Sequence, residues 1–221
     1  MKNSHSYTDQ EQTAIYKVIA ERRDMRHFLP TPVANEMLTK ILQAAHYAPS
    51  VGLMQPWRFI RISDSKLRKQ IHQLVDDERI KTASAIGEFE TTTRMADFLK
   101  LKVEGILTCG EVLVAALCND RDKHIFGRRT LPEMDIASVS CAIQNMWLAA
   151  RAEGLGMGWV SIFDPVKLAH LLNIPNGAKP IAILCLGHVN SFYKEPMLVE
   201  TGWVLAKPLS EMLMENQWQT L

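Results

Sequence analysis

Residues Asp135 to Asp164 hold the longest apolar run of the chain together with its sharpest turn signal, so they restrict the possible folds more than any other stretch. With Asp135 as N-cap, Ile136 to Glu153 places Ile136, Val139, Ala142, Ile143, Met146, Trp147 and Ala150 at helical spacing, and apolar residues lie nearly all round. Such a helix needs cover on every side, from the protein core or from a second subunit. Its length matches a membrane span, but Ser138, Ser140, Gln144, Asn145 and Arg151 interrupt the apolar surface. Gly154 predicts a left-handed cap, Gly156 and Gly158 read as further turn residues, and Trp159 to Phe163 predicts a short strand with Ser161 at its centre. Asp164 and Pro165 then open another helix as N-cap and first helical residue.

A chain of 221 residues with 47% hydrophobic content can bury one large core, and we read residues 1–221 as a single domain. The 25 basic and 24 acidic residues nearly cancel, which removes any general attraction to nucleic acid or to an anionic membrane. Cys109, Cys118, Cys141 and Cys185 show no CxxC spacing and stand in apolar contexts, where cysteine acts as a small buried hydrophobe, so a reducing, cytoplasmic compartment is expected. Met1 to Gln12 is polar and carries no signal peptide or anchor pattern, and residues 1–10 are expected to form a disordered tail.

Before the central helix, Glu11 to Arg22 and Asn35 to Tyr47 have helical periodicity, and the second is stopped by Pro49. The loop Ala48 to Trp57 feeds a strand at Arg58 to Ile62, and Asp64 caps a helix predicted to end near Val75. Residues 76–104 turn polar and read as a partly helical lid. Glu111 to Cys118 and Ile181 to Gly187 are compact apolar strands, Val166 to Leu172 is a short helix, and Asn119 to Met134 is a charged loop with Arg128 and Arg129. Residues 191–221, broken by Pro196, Gly202 and Pro208, predict an arm over a surface or a partner subunit. Four or five strands among helices indicate α/β or α+β.

The three glycines at 154, 156 and 158 do not make a dinucleotide fingerprint, because that motif follows a strand and opens a helix and here the order is reversed. Phosphate-loop, HExxH and GxSxG signatures are absent from the sequence, the seven histidines are scattered, and no metal is assigned. Arg22, Arg23 and Arg26 put three guanidiniums within five residues, beside Asp24. They suit either a phosphate fork or a solvated basic face with Asp24 as counter-ion. Ser50, Gln55 and Pro56 can present polar groups to a flat ligand, although by themselves they describe an ordinary loop. Ser161 has no base nearby in sequence to mark it as a nucleophile.

Taken in order, ERRDMRHF (Glu21 to Phe28), APSVGLMQPWRF (Ala48 to Phe59), LKLKVEGI (Leu99 to Ile106), FGRRTLPEMD (Phe126 to Asp135) and the stretch Ala142 to Asp164 resemble the flavin-dependent nitroreductase superfamily, and within it the dimethylbenzimidazole synthases. The resemblance spans almost the whole chain. It implies an α+β nitroreductase-like fold, with a central, mostly antiparallel sheet flanked by helices, in an intertwined homodimer whose flavin sites lie between subunits. It implies further that reduced FMN is a substrate, fragmented with dioxygen to 5,6-dimethylbenzimidazole, the lower ligand of vitamin B12, with release of a four-carbon sugar phosphate. Reducing power then comes indirectly from NAD(P)H or from a separate flavin reductase.

Residue by residue, the resemblance gives Arg22, Arg23 and Arg26 to the phosphate and ribityl chain, Met25 among them to the flavin site, and Ser50, Met54, Gln55 and Pro56 to the loop beside the flavin. Leu99 to Val103, with Leu99 and Leu101 as its flavin contacts, is the segment that closes over the ring, and Lys207 is the basic residue left where relatives carry arginine, after Val204, Leu205 and Ala206. Asp24 and Ser161 are the polar groups nearest the chemistry, suited to proton transfer and to hydrogen bonding at the ring. Two other readings stay open: an NAD(P)H-dependent nitroreductase or flavin reductase that recycles FMN, and a non-catalytic flavin-binding protein.

Overall fold

A computed structural model describes residues 5–218. In chain order the elements are α1 (Asp9–Glu21), α2 (Asn35–His46), β1 (Trp57–Arg61), α3 (Ser65–Phe89), α4 (Thr92–Lys100), β2 (Glu111–Leu117), α5 (Met134–Ala152), β3 (Gly156–Val160), α6 (Pro165–Leu171), β4 (Lys179–Gly187) and α7 (Met197–Glu200). The four strands form one sheet in the order β1, β2, β4, β3, and every neighbouring pair is antiparallel.

The sheet is covered on both faces, which explains why β2 after Glu111 and β4 after Lys179 carry no polar side chain. Side chains alternate along a strand. Leu113, Ala115 and Leu117 of β2, with Ala182, Leu184 and Leu186 of β4, pack with α2 and α5. Val112 and Val114, with Ile183 and Cys185, pack on the other face with Ile71 and Val75 of α3 and Leu168 of α6. The β2–β4 register shifts between Ala115 and Ala116, where Pro180, which has no N–H to give, takes its place in the ladder.

The central helix forms as its periodicity predicts, and Gly154 ends it at φ +75. Asp135, however, is not its N-cap. Glu133 holds that position, and the Asp135 carboxylate is buried in the first turn, where Arg121 Nε reaches it at 3.0 Å and Arg128 Nε at 2.7 Å. One stripe of α5, Ala137, Cys141 and Gln144, is left exposed. Cys141 is therefore not a buried hydrophobe in the single chain, and Cys118 is only half-buried, whereas Cys109 and Cys185 are buried.

Two other boundaries differ from the sequence reading. α3 does not stop near Val75 but runs 25 residues to Phe89, because its polar C-terminal half needs only a narrow apolar seam, with Ala83 buried. The expected tail at residues 1–10 falls partly outside the described residues; within them Thr8 closes a capping box with Glu11, so residues 9 and 10 are already helical. Among the described residues no helix is long and apolar enough to cross a membrane.

Candidate active site

The segment after α1 lies against the edge strand β3. Met25 N donates to Met157 O at 3.0 Å, and Asp24 and Met157 make a parallel bridge. Gly156 and Gly158 make this approach possible. They are strand residues rather than the turn residues expected: a Cβ on Gly156 would stand 2.5 Å from Val189 Cγ1, and one on Gly158 would collide with the Met25 carbonyl oxygen.

This close approach fixes Asp24. Its Oδ1 accepts the Trp159 amide at 2.9 Å, and its Oδ2 accepts Arg26 Nη2, which also donates to Trp159 O at 3.1 Å. The proton affinity of the Asp24 carboxyl is raised above the ordinary carboxylate range: loss of solvation outweighs the opposing pull of Arg26, the Trp159 amide and Arg22. Behind it, Tyr193 Oη accepts Arg26 N at 3.2 Å and lies 2.6 Å from His27 Nδ1, and burial pushes the tyrosine's proton affinity up as well.

Asp24 opens into a cavity of 510 Å³. One wall is the end of α1 with Arg22, Arg23, Asp24 and Arg26, and another is Trp159, Val160, Ser161 and Ile162. Phe98, Leu101 and Val103 form a third, and residues 196–199 and 203–206 of the C-terminal arm form the fourth. The arm thus lines a cavity of its own chain; residues 219–221 lie outside the described residues. Trp203 anchors it, with Arg94 Cζ 3.4 Å from the ring centroid and Arg94 Nη2 donating to Trp203 O at 2.7 Å.

Ser161 lines this cavity, but it is the first residue beyond β3, not the centre of a strand. Its hydroxyl makes no hydrogen bond among the described residues, so it is free to act on a ligand. The three arginines share a wall without forming a single fork. Arg23 donates to Ala20 O, Arg22 O and Lys194 O, and Arg26 is engaged with Asp24 and Trp159. Arg22 stacks on Trp147, 4.6 Å from the ring centroid, and among the described residues its guanidinium makes no hydrogen bond.

Other expected residues lie elsewhere. Met25 is 1% exposed and belongs to the core. Leu101 lines the cavity, whereas Leu99 points outward with its carbonyl bonded to Arg79, and Lys207 follows the lining residues Val204 to Ala206 without joining them. Ser50, Met54, Gln55 and Pro56 do not line it either. Their loop is held by Gln55 N to Ser50 Oγ and by Val51 N to Ser138 Oγ, both at 3.0 Å, with Leu53 and Gln55 at positive φ. Val103, the end of the segment expected to close over the ring, does line the cavity, whereas Phe98, Trp159 and Trp203 were missed from sequence, because the contacts that make them walls join residues distant in the chain. Among the described residues no group of metal-ligating side chains occurs.

The cavity has apolar walls, a free hydroxyl, the Arg22 guanidinium with no hydrogen bond and, in Arg26 Nη1, a buried donor without a partner, all among the described residues. These features suit a planar, anionic ligand such as FMN. The model of the nitroreductase family matches residues 19–188. The chain is 35% identical over 189 residues to a 5,6-dimethylbenzimidazole synthase of Rhodospirillum rubrum, covering 85% of this chain and 87% of that protein. It is also 35% identical over 199 residues to one of Rhodobacter capsulatus, covering 87% and 93%. Among solved structures, the fold matches an NADPH:FMN oxidoreductase of Vibrio harveyi with a TM-score of 0.68 at 20% identity, over 94% of this chain and 79% of that one. With a family model spanning most of its length and relatives at this identity over most of theirs, the chain is a member of the nitroreductase family.

Proposed function

We propose that this protein is a 5,6-dimethylbenzimidazole synthase that takes reduced FMN as substrate and fragments it with dioxygen, releasing a four-carbon sugar phosphate. The observation that carries the reading is the presence in one cavity of Asp24, an acid of raised proton affinity, and of the free Ser161 hydroxyl. Breaking the ring requires protons to move at it, and such an acid beside the ring meets that need. The relatives named as synthases support the same choice.

When bound, reduced FMN supplies the electrons that dioxygen accepts. The residues of this chain do the rest. Asp24, held by Trp159 N and Arg26, takes up and returns protons at its carboxyl, and Ser161 Oγ donates a hydrogen bond to the reacting part of the ring. Phe98, Leu101, Val103 and Trp203 exclude water. Arg22 meets the phosphate, and Lys207 adds charge after the arm has passed the cavity.

The second copy in a homodimer supplies the loop with Ser50, Met54, Gln55 and Pro56. Support comes from the exposed stripe of α5 and from Leu53 and Phe126, which are 77% and 84% exposed beside that loop. The protein works in the cytoplasm, drawing reduced FMN from NAD(P)H through a separate reductase.

Aerobic incubation with externally reduced FMN, followed by analysis of the small molecules, tests the reading. Free dimethylbenzimidazole is the expected product. Oxidised FMN alone would favour a flavin-binding protein, and rapid NAD(P)H-driven turnover of an added electron acceptor would favour a reductase.

A further inference from the structure

The segment joining α4 to β2 has a cavity on each side. Leu101 and Val103 line the main cavity and also form one wall of a second, of 300 Å³, whose other lining includes His72, Asp76 and Arg79 of α3 with Lys102 and Glu104. The apolar side chains of this segment thus serve the main cavity while its charged ones face the fixed helix α3.

Polar contacts within the segment and to α3 hold it in place. Glu104 Oε2 accepts the Ile106 amide at 2.5 Å, and Oε1 lies 3.7 Å from both His72 Nε2 and Lys102 Nζ. The Glu104 side chain is only 16% exposed, so these contacts are screened less than surface pairs. Arg79, itself held by Asp76 at 2.8 Å, donates to Leu99 O at 3.3 Å at the other end. At the base, Gly105 packs so tightly that a Cβ would collide with the Phe28 ring and stand 3.1 Å from Arg26 O. The base of the segment therefore bears on the stretch that presents Asp24 and Arg26.

We propose that Glu104 is a positioning residue which, with His72, fixes Leu101 to Val103 in their closed place over the main cavity. It sets how long a bound substrate is kept from water. The identity of that substrate rests on the flavin reading above; the latch itself rests on the contacts just given. Closing segments are drawn from the less stable parts of a fold, so the loss of one short, charge-assisted bond is enough to shift the balance towards open.

The test measures FMN release by stopped-flow fluorescence, and the yields of hydrogen peroxide and dimethylbenzimidazole after aerobic mixing with reduced FMN. An open segment lets reduced FMN and dioxygen end as oxidised FMN and hydrogen peroxide. Glu104→Ala is expected to release FMN roughly tenfold faster, the effect of one lost hydrogen bond to a charged group, and to raise peroxide at the expense of benzimidazole. Glu104→Gln, which keeps an acceptor for Ile106 N, should fall between it and the parent, and His72→Gln, a change on the surface of α3, should also release FMN faster. Variants that melt at lower temperature but keep the parental release rate and product ratio would overturn the proposal. A parent that holds FMN but forms no benzimidazole would sink the synthase reading alone; faster release from Glu104→Ala would then still support the latch, and unchanged release would overturn it.

Discussion

Asp24 is tied to both backbone polar groups of Trp159, to one directly and to the other through Arg26: the Trp159 amide donates to Asp24 Oδ1 at 2.9 Å, while the Trp159 carbonyl accepts Arg26 Nη2, which also grips Asp24 Oδ2. A side chain of α1's trailing segment is thereby locked to the edge of the sheet, one residue from Val160 and two from Ser161. The acid and the hydroxyl share a cavity because a strand edge presents both.

That arrangement depends on Gly158. Gly158→Ala would drive a methyl group into the Met25 carbonyl oxygen, a backbone atom that cannot swing away. Overpacking of this kind costs about 1–3 kcal/mol. Urea unfolding of the variant should show a lower midpoint, and a folded fraction should bind FMN poorly because Asp24 and Arg26 have moved.

The arginines should separate by role. Loss of a charge-assisted hydrogen bond to phosphate costs roughly 1.5–3 kcal/mol, so Arg22→Ala should weaken FMN binding by about ten- to a hundredfold. Arg26→Ala should weaken binding and also lower product formed per flavin bound, since it releases Asp24 Oδ2. Fluorescence titration with product analysis reads both; equal behaviour of the two variants would show that Arg26 does not orient Asp24.

Asp24 also leaves a mark on stability against pH. Its proton is held more tightly in the folded protein than at the ordinary value of 3.8. The folded state therefore gains most from this group below that value and loses the gain as pH rises through the raised one. Compared with Asp24→Asn, the parent should become steadily less stable across that window, as measured by denaturant unfolding at a series of pH values. A constant difference would show that the carboxyl titrates normally.

Much of this was legible in the sequence. Gly154, Asp164 and Pro165 act locally, so the end of α5 and the start of α6 fall where their residues predict. Asp135 misled because its partners, Arg121 and Arg128, are long-range in the helical sense and turn a likely-looking cap into a buried ion cluster. Gly156 and Gly158 misled for a related reason: a glycine that permits a turn and one that admits a neighbouring backbone look alike until the neighbour, Met25, is placed. The cluster Arg22 to Arg26 could be picked out as a group, and its arginines with Asp24 share one cavity wall, but the division of labour within it, with Arg26 on Asp24 and Arg23 on backbone carbonyls, depends on contacts to residues 159 and 194. The wall formed by Trp203 was hidden because the tail carries no period, and its place is set by Arg94 across more than a hundred residues.

The central claim is that Asp24 and Ser161 act on the flavin after it has bound. The most direct measurement mixes Asp24→Asn and Ser161→Ala aerobically with reduced FMN and follows flavin binding, flavin oxidation and dimethylbenzimidazole together. Asparagine keeps the shape of aspartate and removes its proton transfer, and both changes leave the Arg22 side chain in place. Both variants should take up reduced FMN and oxidise it, yet form little or no dimethylbenzimidazole. Product at the parental rate from either would remove that residue from the mechanism, and from both would contradict the account.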